Sequence, residues 1–297
     1  MKYEVNIDDV RLDKYLADNI DKSRSQILKM IKSGEVLVNG NSCKAGYSLK
    51  SGDVIEINHI DTDDSILPEE MDLDIVYEDE DVLVVNKANG VVVHPAPGNY
   101  HGTLVNGLMH YTSLSSLNGE ERPGIVHRID AYTTGLLMVA KNNKAHAVLA
   151  DELSKKKTYR KYVALVWGVI NNDSGTIDAP IGRSLTDRKK MAVLASGKNA
   201  ITHFKVLKRF NNATLIELQL ETGRTHQIRV HMDYIGHPVV NDPVYGGRKL
   251  IDDTGQCLHA KELGFVHPTT HKFMKFDSDL PDCFTNILNK FEEGDNK

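Results

Sequence analysis

Hydrophobic and polar positions change period twice over residues 1–60. Arg11-Leu12-Asp13-Lys14-Tyr15-Leu16 sets its apolar residues at helical spacing, and Ser23-Arg24-Ser25-Gln26-Ile27-Leu28-Lys29-Met30-Ile31 predicts a second helix with Ser23 or Ser25 as its N-cap. Gly34 ends that helix. Val36-Leu37-Val38 then reads as a strand entering a tight Asn39-Gly40 turn, and Ser51-Gly52-Asp53 makes another turn before Val54-Ile55-Glu56-Ile57. Helix, helix, strand, turn, strand gives a small N-terminal α/β domain. Residues 61–72 are polar and acidic, contain Pro68 and lack periodicity, which predicts a flexible linker.

A second domain is expected over 73–297. Asp74–Asp79 and Val82–Lys87 predict two strands around an acidic turn. A Gly-rich loop at 97–102 leads into a helix over Leu104–Tyr111 capped by Thr103. Ala145–Ser154 predicts a helix, and Val163–Gly168, Ile201–Val206 and Ala213–Leu220 predict strands. Between them lies Val126-His127-Arg128-Ile129-Asp130-Ala131-Tyr132-Thr133-Thr134-Gly135, a polar turn followed by the short apolar run Leu136–Ala140. That run predicts a buried strand, and Gly135 permits the sharp turn that presents Asp130. A carboxylate beside an arginine on a loop held by a rigid strand is well placed for chemistry. The same spacing also fits a plain Asp-x-x-Thr turn in which Arg128 pairs with Asp130 at the surface.

Composition narrows the classes. In 297 residues no apolar run approaches the roughly 20 needed to span a bilayer, and the first residues are acidic with no apolar signal core. Cys43, Cys257 and Cys283 are far apart and odd in number, which indicates neither a disulfide framework nor a Cys-rich zinc site; a reducing cytoplasm is expected. The net charge of −5 excludes an indiscriminate polycation. Its acid, however, is concentrated in Asp61–Glu80 and the C-terminal tail, while cations cluster elsewhere. Lys155-Lys156-Lys157-Thr158-Tyr159-Arg160-Lys161-Tyr162 has the make-up of a rim that tracks phosphates with stacking rings, or of an ordinary solvated face. Arg183 and Arg188-Lys189-Lys190 form a second basic group on an expected loop. His226 with His231, and Cys257, His259, His267 and His271, make no recognisable zinc pattern. Gly98-x-x-x-Gly102-Thr103 lacks the lysine of a P-loop. No metal and no cofactor are expected.

Several segments, in order, resemble the RluA-type pseudouridine synthases. His127-Arg128-Ile129-Asp130-x-x-Thr133-Thr134-Gly135-Leu136-Leu137 is similar to the family's His-Arg-Leu-Asp-x-x-Thr-Ser/Thr-Gly-Leu-Leu. Asn86-Lys87-Ala88-x-Gly90-x-x-Val93-His94-Pro95 and Thr222-Gly223-Arg224-Thr225-His226-Gln227-Ile228-Arg229-Val230-His231 resemble two further motifs. Asn241-Asp242-Pro243-Val244-Tyr245-Gly246 and Leu258-His259-Ala260 with Phe265-x-His267-Pro268 follow in place. Four positions depart from the pattern: Ala88 stands for a proline, Asn241 for a glycine, and Ala131 and Tyr132 for a basic residue and an aspartate. The N-terminal unit resembles the S-four-like RNA-binding domain through Arg-Leu-Asp-Lys-Tyr-Leu, Ser-Arg-Ser and Val-x-Val-Asn-Gly.

The resemblance implies an α+β protein with a central mixed, mostly antiparallel sheet flanked by helices and loops. It implies isomerisation of uridine to pseudouridine in a folded RNA, without cofactor. Large-subunit ribosomal RNA is the expected partner and transfer RNA the other candidate; DNA and membranes are not expected partners, and the chain is expected to be a monomer. Asp130 is implied as the carboxylate that attacks or deprotonates the ribose. Arg229 is its ion-pair partner by motif position, with Arg224 second, and Tyr162 is the ring that stacks on uracil. Arg128 would replace a flipped base, His127 and Thr134 would flank the substrate, and Ile228 and Leu136 would be apolar walls. Arg11, Lys14, Arg24 and Lys29 would face RNA from the small domain. Two other classes fit the same residues. One is a non-catalytic RNA-binding or ribosome-assembly protein. The other is a glycosidase, which needs a second carboxylate about 5 to 9 Å from Asp130.

Overall fold

The computed structural model describes residues 1–20, 24–58, 66–96, 99–117, 122–187, 190–247 and 250–295, apart from the side chains of Ser25, Gln26, Lys29 and Asp295. The expected cap Ser23, the side chains of Ser25 and Lys29, Pro97-Gly98 of the Gly-rich loop, and Arg188-Lys189 therefore lie outside the described residues. The chain divides into Met1–Asp64 and Ser65–Lys297.

The first unit runs β1 (Lys2–Glu4), β2 (Val10–Arg11), α1 (Leu12–Asn19), α2 (Arg24–Ser33), β3 (Val36–Val38), β4 (Asn41–Ser42), β5 (Ser48–Leu49) and β6 (Val54–Ile57). Its sheet order is β1-β6-β3-β4, with β2 pairing β5. Leu12, Leu16, Ile27 and Ile31 of the helices meet Val36, Val38 and Ile55 of the sheet, as the helical and alternating periods require. Asn39 and Gly40 both have positive φ, 51° and 75°, which matches the twist of a two-residue hairpin turn. Buried Asp13 accepts two hydrogen bonds from Arg11, at 2.9 and 3.0 Å, and one from Arg24 at 3.3 Å. The Arg11 bond, helped by Arg24, holds the carboxyl at about 2 against the cost of burial. Arg11 and Arg24 are thus anchored at Asp13 yet remain exposed, as does Lys14.

The second unit contains β7 (Asp74–Glu78), β8 (Val82–Lys87), α3 (Leu104–Tyr111), β9 (Thr134–Ala140), α4 (Asn143–Ser154), β10 (Tyr159–Trp167), β11 (Ser174–Asp178), β12 (Ile181–Arg183), β13 (Met191–Val193), β14 (Ile201–Arg209), β15 (Ala213–Leu220), α5 (Gln227–Tyr234), β16 (Leu258–Val266), β17 (Phe273–Asp277) and α6 (Asp282–Asp295). The sheet order is β11-β14-β15-β10-β16-β9-β8-β7, with β17 also on β16 and β12–β13 a separate ribbon. Every pair in it is antiparallel except β16 with β9. The architecture is α+β, with a mixed sheet that is mostly antiparallel.

Both faces of this sheet are covered, which is why β9 reads as one apolar run. Leu137 and Val139 join Tyr162, Ala164, Ile216 and Leu218 beneath α3 and α5. Leu136 and Met138 face the opposite way, into a cluster with α4 residues Ala145 and Leu149. Farther along that second face, Phe284, Ile287 and Phe291 of α6 cover Val163 and Leu165.

Residues 66–72 differ from the expected flexible linker. Leu67 O accepts from Asn106 Nδ2 at 2.8 Å, Glu69 N–H donates to Asn106 O at 3.0 Å, and the Glu69 carboxylate accepts from Gly102 N–H at 2.8 Å. Met71 packs on Gly107 of α3, and Ile66 reaches the main core. The segment is a strap fastened to α3, and its lack of periodicity reflects side-chain to backbone bonding with no regular element. Arg183 lies in β12 of the ribbon, where a loop is expected from its sequence.

Candidate functional site

The turn that carries Asp130 is fastened at four points. Thr133 N–H donates to Asp130 O at 3.0 Å. His127 Nε2 accepts the Met138 N–H at 3.1 Å, and Gln256 Nε2 donates to Thr133 Oγ1 at 3.1 Å. Lys87, only 2% exposed, donates from Nζ to Ala131 O at 2.7 Å and to Ala88 O at 2.8 Å. Tyr132, at the position where the family resemblance leads one to expect aspartate, lies over Gly255, which has no Cβ to obstruct the ring. At the base of the turn Gly135 has φ 105°, and a Cβ there would stand 2.3 Å from Ala260 O across the parallel β9–β16 pairing. No residue with a side chain fits.

Burial sets the state of two of these groups. It pushes His127 down to about 3, with Arg160 adding to the effect, so the imidazole is neutral and its Nε2 is free to accept. Burial also pushes the Lys87 ammonium down to about 7, opposed by the charge of Asp130. Replacing Lys87 by methionine is expected to free the Ala131 carbonyl and loosen the turn that carries Asp130. In the unfolded chain the lysine titrates near its usual value of about 10.4, whereas in the folded protein it is already losing its proton at about 7. The unfolded state therefore binds more protons across that interval, and the lysine's contribution to stability rises with pH. Melting wild type and Lys87→Met side by side from pH 7 to 10 should show the gap shifting in favour of wild type; a constant gap would contradict it.

Opposite the turn, α5 supplies Arg229, which is 4% exposed. It grips Asp242 with two bonds, Nε to Oδ2 at 2.7 Å and Nη2 to Oδ1 at 2.9 Å, and reaches Asp130 Oδ2 from Nη1 at 2.9 Å. Burial works against the guanidinium's charge, but hydrogen bonds and charges of Asp242 and Asp130 outweigh it and raise its pKa further. For Asp242, burial alone would raise the carboxyl, yet Arg229 and the N–H groups of Tyr245 and Val244 hold it below its ordinary range. His226, with φ 54° at the start of α5, bonds Tyr245 Oη through Nδ1 at 2.9 Å and sets Nε2 3.8 Å from Asp130 Oδ1. Tyr245 completes the support, its ring centroid 5.1 Å from Arg229 Cζ.

Asp130, Arg229, Tyr162, Ile228, His127, Arg128 and Arg224 line one cleft of about 460 Å³. Tyr162 stands on β10 opposite an irregularity of β16, where the register shifts between Lys161 and Val163, while its pairing with β15 runs without a break. Burial raises its phenol. Arg128 is exposed at the mouth. Arg224 is exposed too and donates from Nε to Asn199 O at 2.9 Å; its ion pair with Asp130, the second choice from sequence, is not formed. Thr134 lies outside the lining, its hydroxyl 2.8 Å from His259 Nδ1, and neighbouring Thr133 borders the cleft instead. Leu136 faces the opposite side of the sheet; Leu220 and Leu258 supply the apolar wall with Ile228.

The basic run before β10 does not act as a uniform rim. Lys155 pairs with Asp151 at 2.8 Å, Lys156 with Glu221 at 3.2 Å and Lys161 with Glu217 at 2.8 Å. The histidines considered as ligands are bonded elsewhere: His231 to Thr202 and Ala179, His259 to Thr134 and Ser278, His267 to Asp79. Sequence reasoning missed Lys87, Asp242 and Tyr245 as parts of the site, although all three sit in segments that carry the family resemblance. Asn241, where that resemblance leads one to expect glycine, keeps φ at 61°; its side chain bonds Asp252 and Gly255 O and accepts from Ile251 N–H. Asparagine tolerates this region, so the turn survives the exchange.

Comparison with known proteins follows this geometry. Residues 81–234 match the family model described as RNA pseudouridylate synthase, and residues 10–55 match the S4 domain. The chain is 56% identical to an uncharacterized RNA pseudouridine synthase, YlyB, of Bacillus subtilis, over 94% of this chain and 93% of that one. It is 43% identical to ribosomal large subunit pseudouridine synthase D of Pseudomonas aeruginosa, over 94% of this chain and 91% of that one. Among solved structures, human RNA pseudouridylate synthase domain containing 1 superposes with a TM-score of 0.59 at 26% identity, covering 74% of this chain and 95% of that one.

Proposed function

The chain belongs to the RNA pseudouridylate synthase family, and from that membership we propose that it isomerises uridine in large-subunit ribosomal RNA with Asp130 acting at the ribose. The class of reaction follows from the family: the protein is an RNA pseudouridine synthase, an isomerase. The choice of RNA is supported by relatives named ribosomal large subunit pseudouridine synthase D in Pseudomonas aeruginosa and Zymomonas mobilis, the latter 44% identical over 91% of this chain. A ribosomal substrate puts the protein in the cytoplasm. Among the described residues no helix is long and apolar enough to cross a membrane.

One observation carries the catalytic assignment: the Asp130 carboxylate, largely shielded in the cleft, is bonded at 2.9 Å by a buried arginine whose position Asp242 fixes. A carboxylate that must act while shielded from water needs such a cation to stay ionised. In the reaction the bond between ribose C1′ and uracil N1 breaks, the uracil turns in place, C5 bonds to C1′, the C5 proton leaves to solvent, and N1 takes up a proton in its place. Two routes use the same carboxylate: attack at C1′, or removal of the C2′ proton to give a glycal. Tyr162 stacks on the uracil, and its phenol oxygen takes the C5 proton as the phenol gives up its own. Ile228 closes the apolar side. The target base has to leave its stack to reach this depth, and exposed Arg128 at the mouth fills the gap with its planar guanidinium. Arg11, Lys14 and Arg24 of the small domain contact RNA phosphates, with Arg224 beside the cleft.

The test uses RNA carrying tritium at uridine C5. The protein should release tritium from transcribed large-subunit ribosomal RNA and leave transfer RNA untouched. Release from transfer RNA alone would move the substrate assignment, and release from neither would leave an RNA-binding protein without turnover.

A further inference from the structure

Burial is costly for a charge unless a partner meets it. Arg160 on β10 breaks that rule. It is 7% exposed, its Nε has no hydrogen-bond partner, and among the described residues no carboxylate pairs with it. Three other cations of the same run, Lys155, Lys156 and Lys161, have found carboxylates. Arg160 and Tyr162 are two apart on one strand and so point to the same face, and both line the cleft.

A second feature makes room for it. Gly223 borders the same cleft, and a Cβ there would lie 2.8 Å from Arg160 Nη1. A glycine at 223 lets the guanidinium occupy the wall, where any side chain would displace it. Arg128 and Arg224 border the opening as well, while the acids of the lining are engaged elsewhere, Glu221 with Lys156 and Asp130 with Arg229. A desolvated, planar, five-donor cation without an acceptor, in a cleft whose carboxylates already have partners, is built for an anion that arrives with the ligand.

We infer that Arg160 is the binding site for a backbone phosphate of the uridine that enters the cleft. This assignment rests on the RNA synthase reading above. The phosphate anchors the nucleotide beside Tyr162, so the free enzyme holds an unpaired charge that only substrate neutralises. Such a group lowers the stability of the empty protein and raises affinity for the occupied one.

The experiment compares wild type, Arg160→Met and Arg160→Lys by thermal melting with uridine 3′,5′-bisphosphate and with unphosphorylated uridine, at matched ionic strength. Wild type should gain more from the bisphosphate than from uridine. Arg160→Met should lose that difference while melting, without ligand, at or above wild type. Arg160→Lys, which keeps the charge and loses the fork, should keep part of it. On C5-tritiated RNA, kcat/KM should fall about 10- to 100-fold in Arg160→Met, the loss expected for one charge-assisted bond. A bisphosphate difference that persists in full in both variants would overturn the assignment. The melting arm does not depend on turnover. Should wild type prove inactive on every RNA, the synthase reading falls while the bisphosphate shift still judges Arg160.

Discussion

Asp130→Asn is expected to abolish tritium release from C5-labelled RNA, by roughly 10⁴-fold or more, while leaving the fold and RNA affinity close to wild type. The size follows from chemistry: an amide neither attacks an anomeric carbon nor removes a ribose proton, and losing the group that makes or breaks bonds costs far more than losing a contact. The small structural effect follows from geometry. Asn keeps an oxygen that can accept from Arg229 Nη1, now 2.9 Å from Asp130 Oδ2, and the guanidinium retains both bonds to Asp242. The turn is held by Lys87, His127 and Gln256 through groups the exchange does not touch. Stability should therefore move by no more than about 1 kcal/mol. Tritium release, filter binding and a thermal melt on one preparation check all three. More than a tenth of wild-type release would remove Asp130 from the chemistry.

The largest loss of stability should come from Asp242. Its side chain is fully buried, and truncation to alanine strips two bonds from Arg229 and the acceptor used by Val244 and Tyr245 N–H groups. Breaking one side of a buried pair costs about 3–5 kcal/mol, because the surviving charge is left undercompensated. In a unit of this size that lowers the melting temperature by about 10 °C. Asp242→Asn separates shape from charge. The native carboxyl is held below its ordinary range, so its contribution is complete above about 4, the unfolded value, and is lost as pH falls through the lower folded value. Asn cannot titrate. The stability of Asp242→Asn should accordingly depend less steeply on pH below about 4 than that of wild type, as read from acid titrations followed by circular dichroism. Equal slopes would place the acid sensitivity elsewhere.

How much of this site could be read from the sequence depended on the distance over which each feature is set. Asp130, Arg229 and Tyr162 lie in segments whose residue types and order carry the resemblance, and the cleft brings them together. The alternation of Leu136 and Leu137 could not say which leucine faces the cleft, because β9 is covered on both sides. Arg160 looked like its neighbours in a basic run; burial, not composition, separates it from Lys155 and Lys156. Lys87 and Asp242 act across 44 and 13 positions through single bonds that no local period announces. The strap over 66–72 carries no pattern because Asn106 and Gly102 fasten it one group at a time.

The place of β16 has a consequence for synthesis. It lies between β9 and β10, although it follows both by about a hundred residues or more. A growing chain therefore presents two halves of the cleft that cannot join until Leu258–Val266 has left the ribosome, and until then β9 and β10 each keep an unpaired edge. The two walls of the cleft are therefore joined last, by a strand made near the end of the chain.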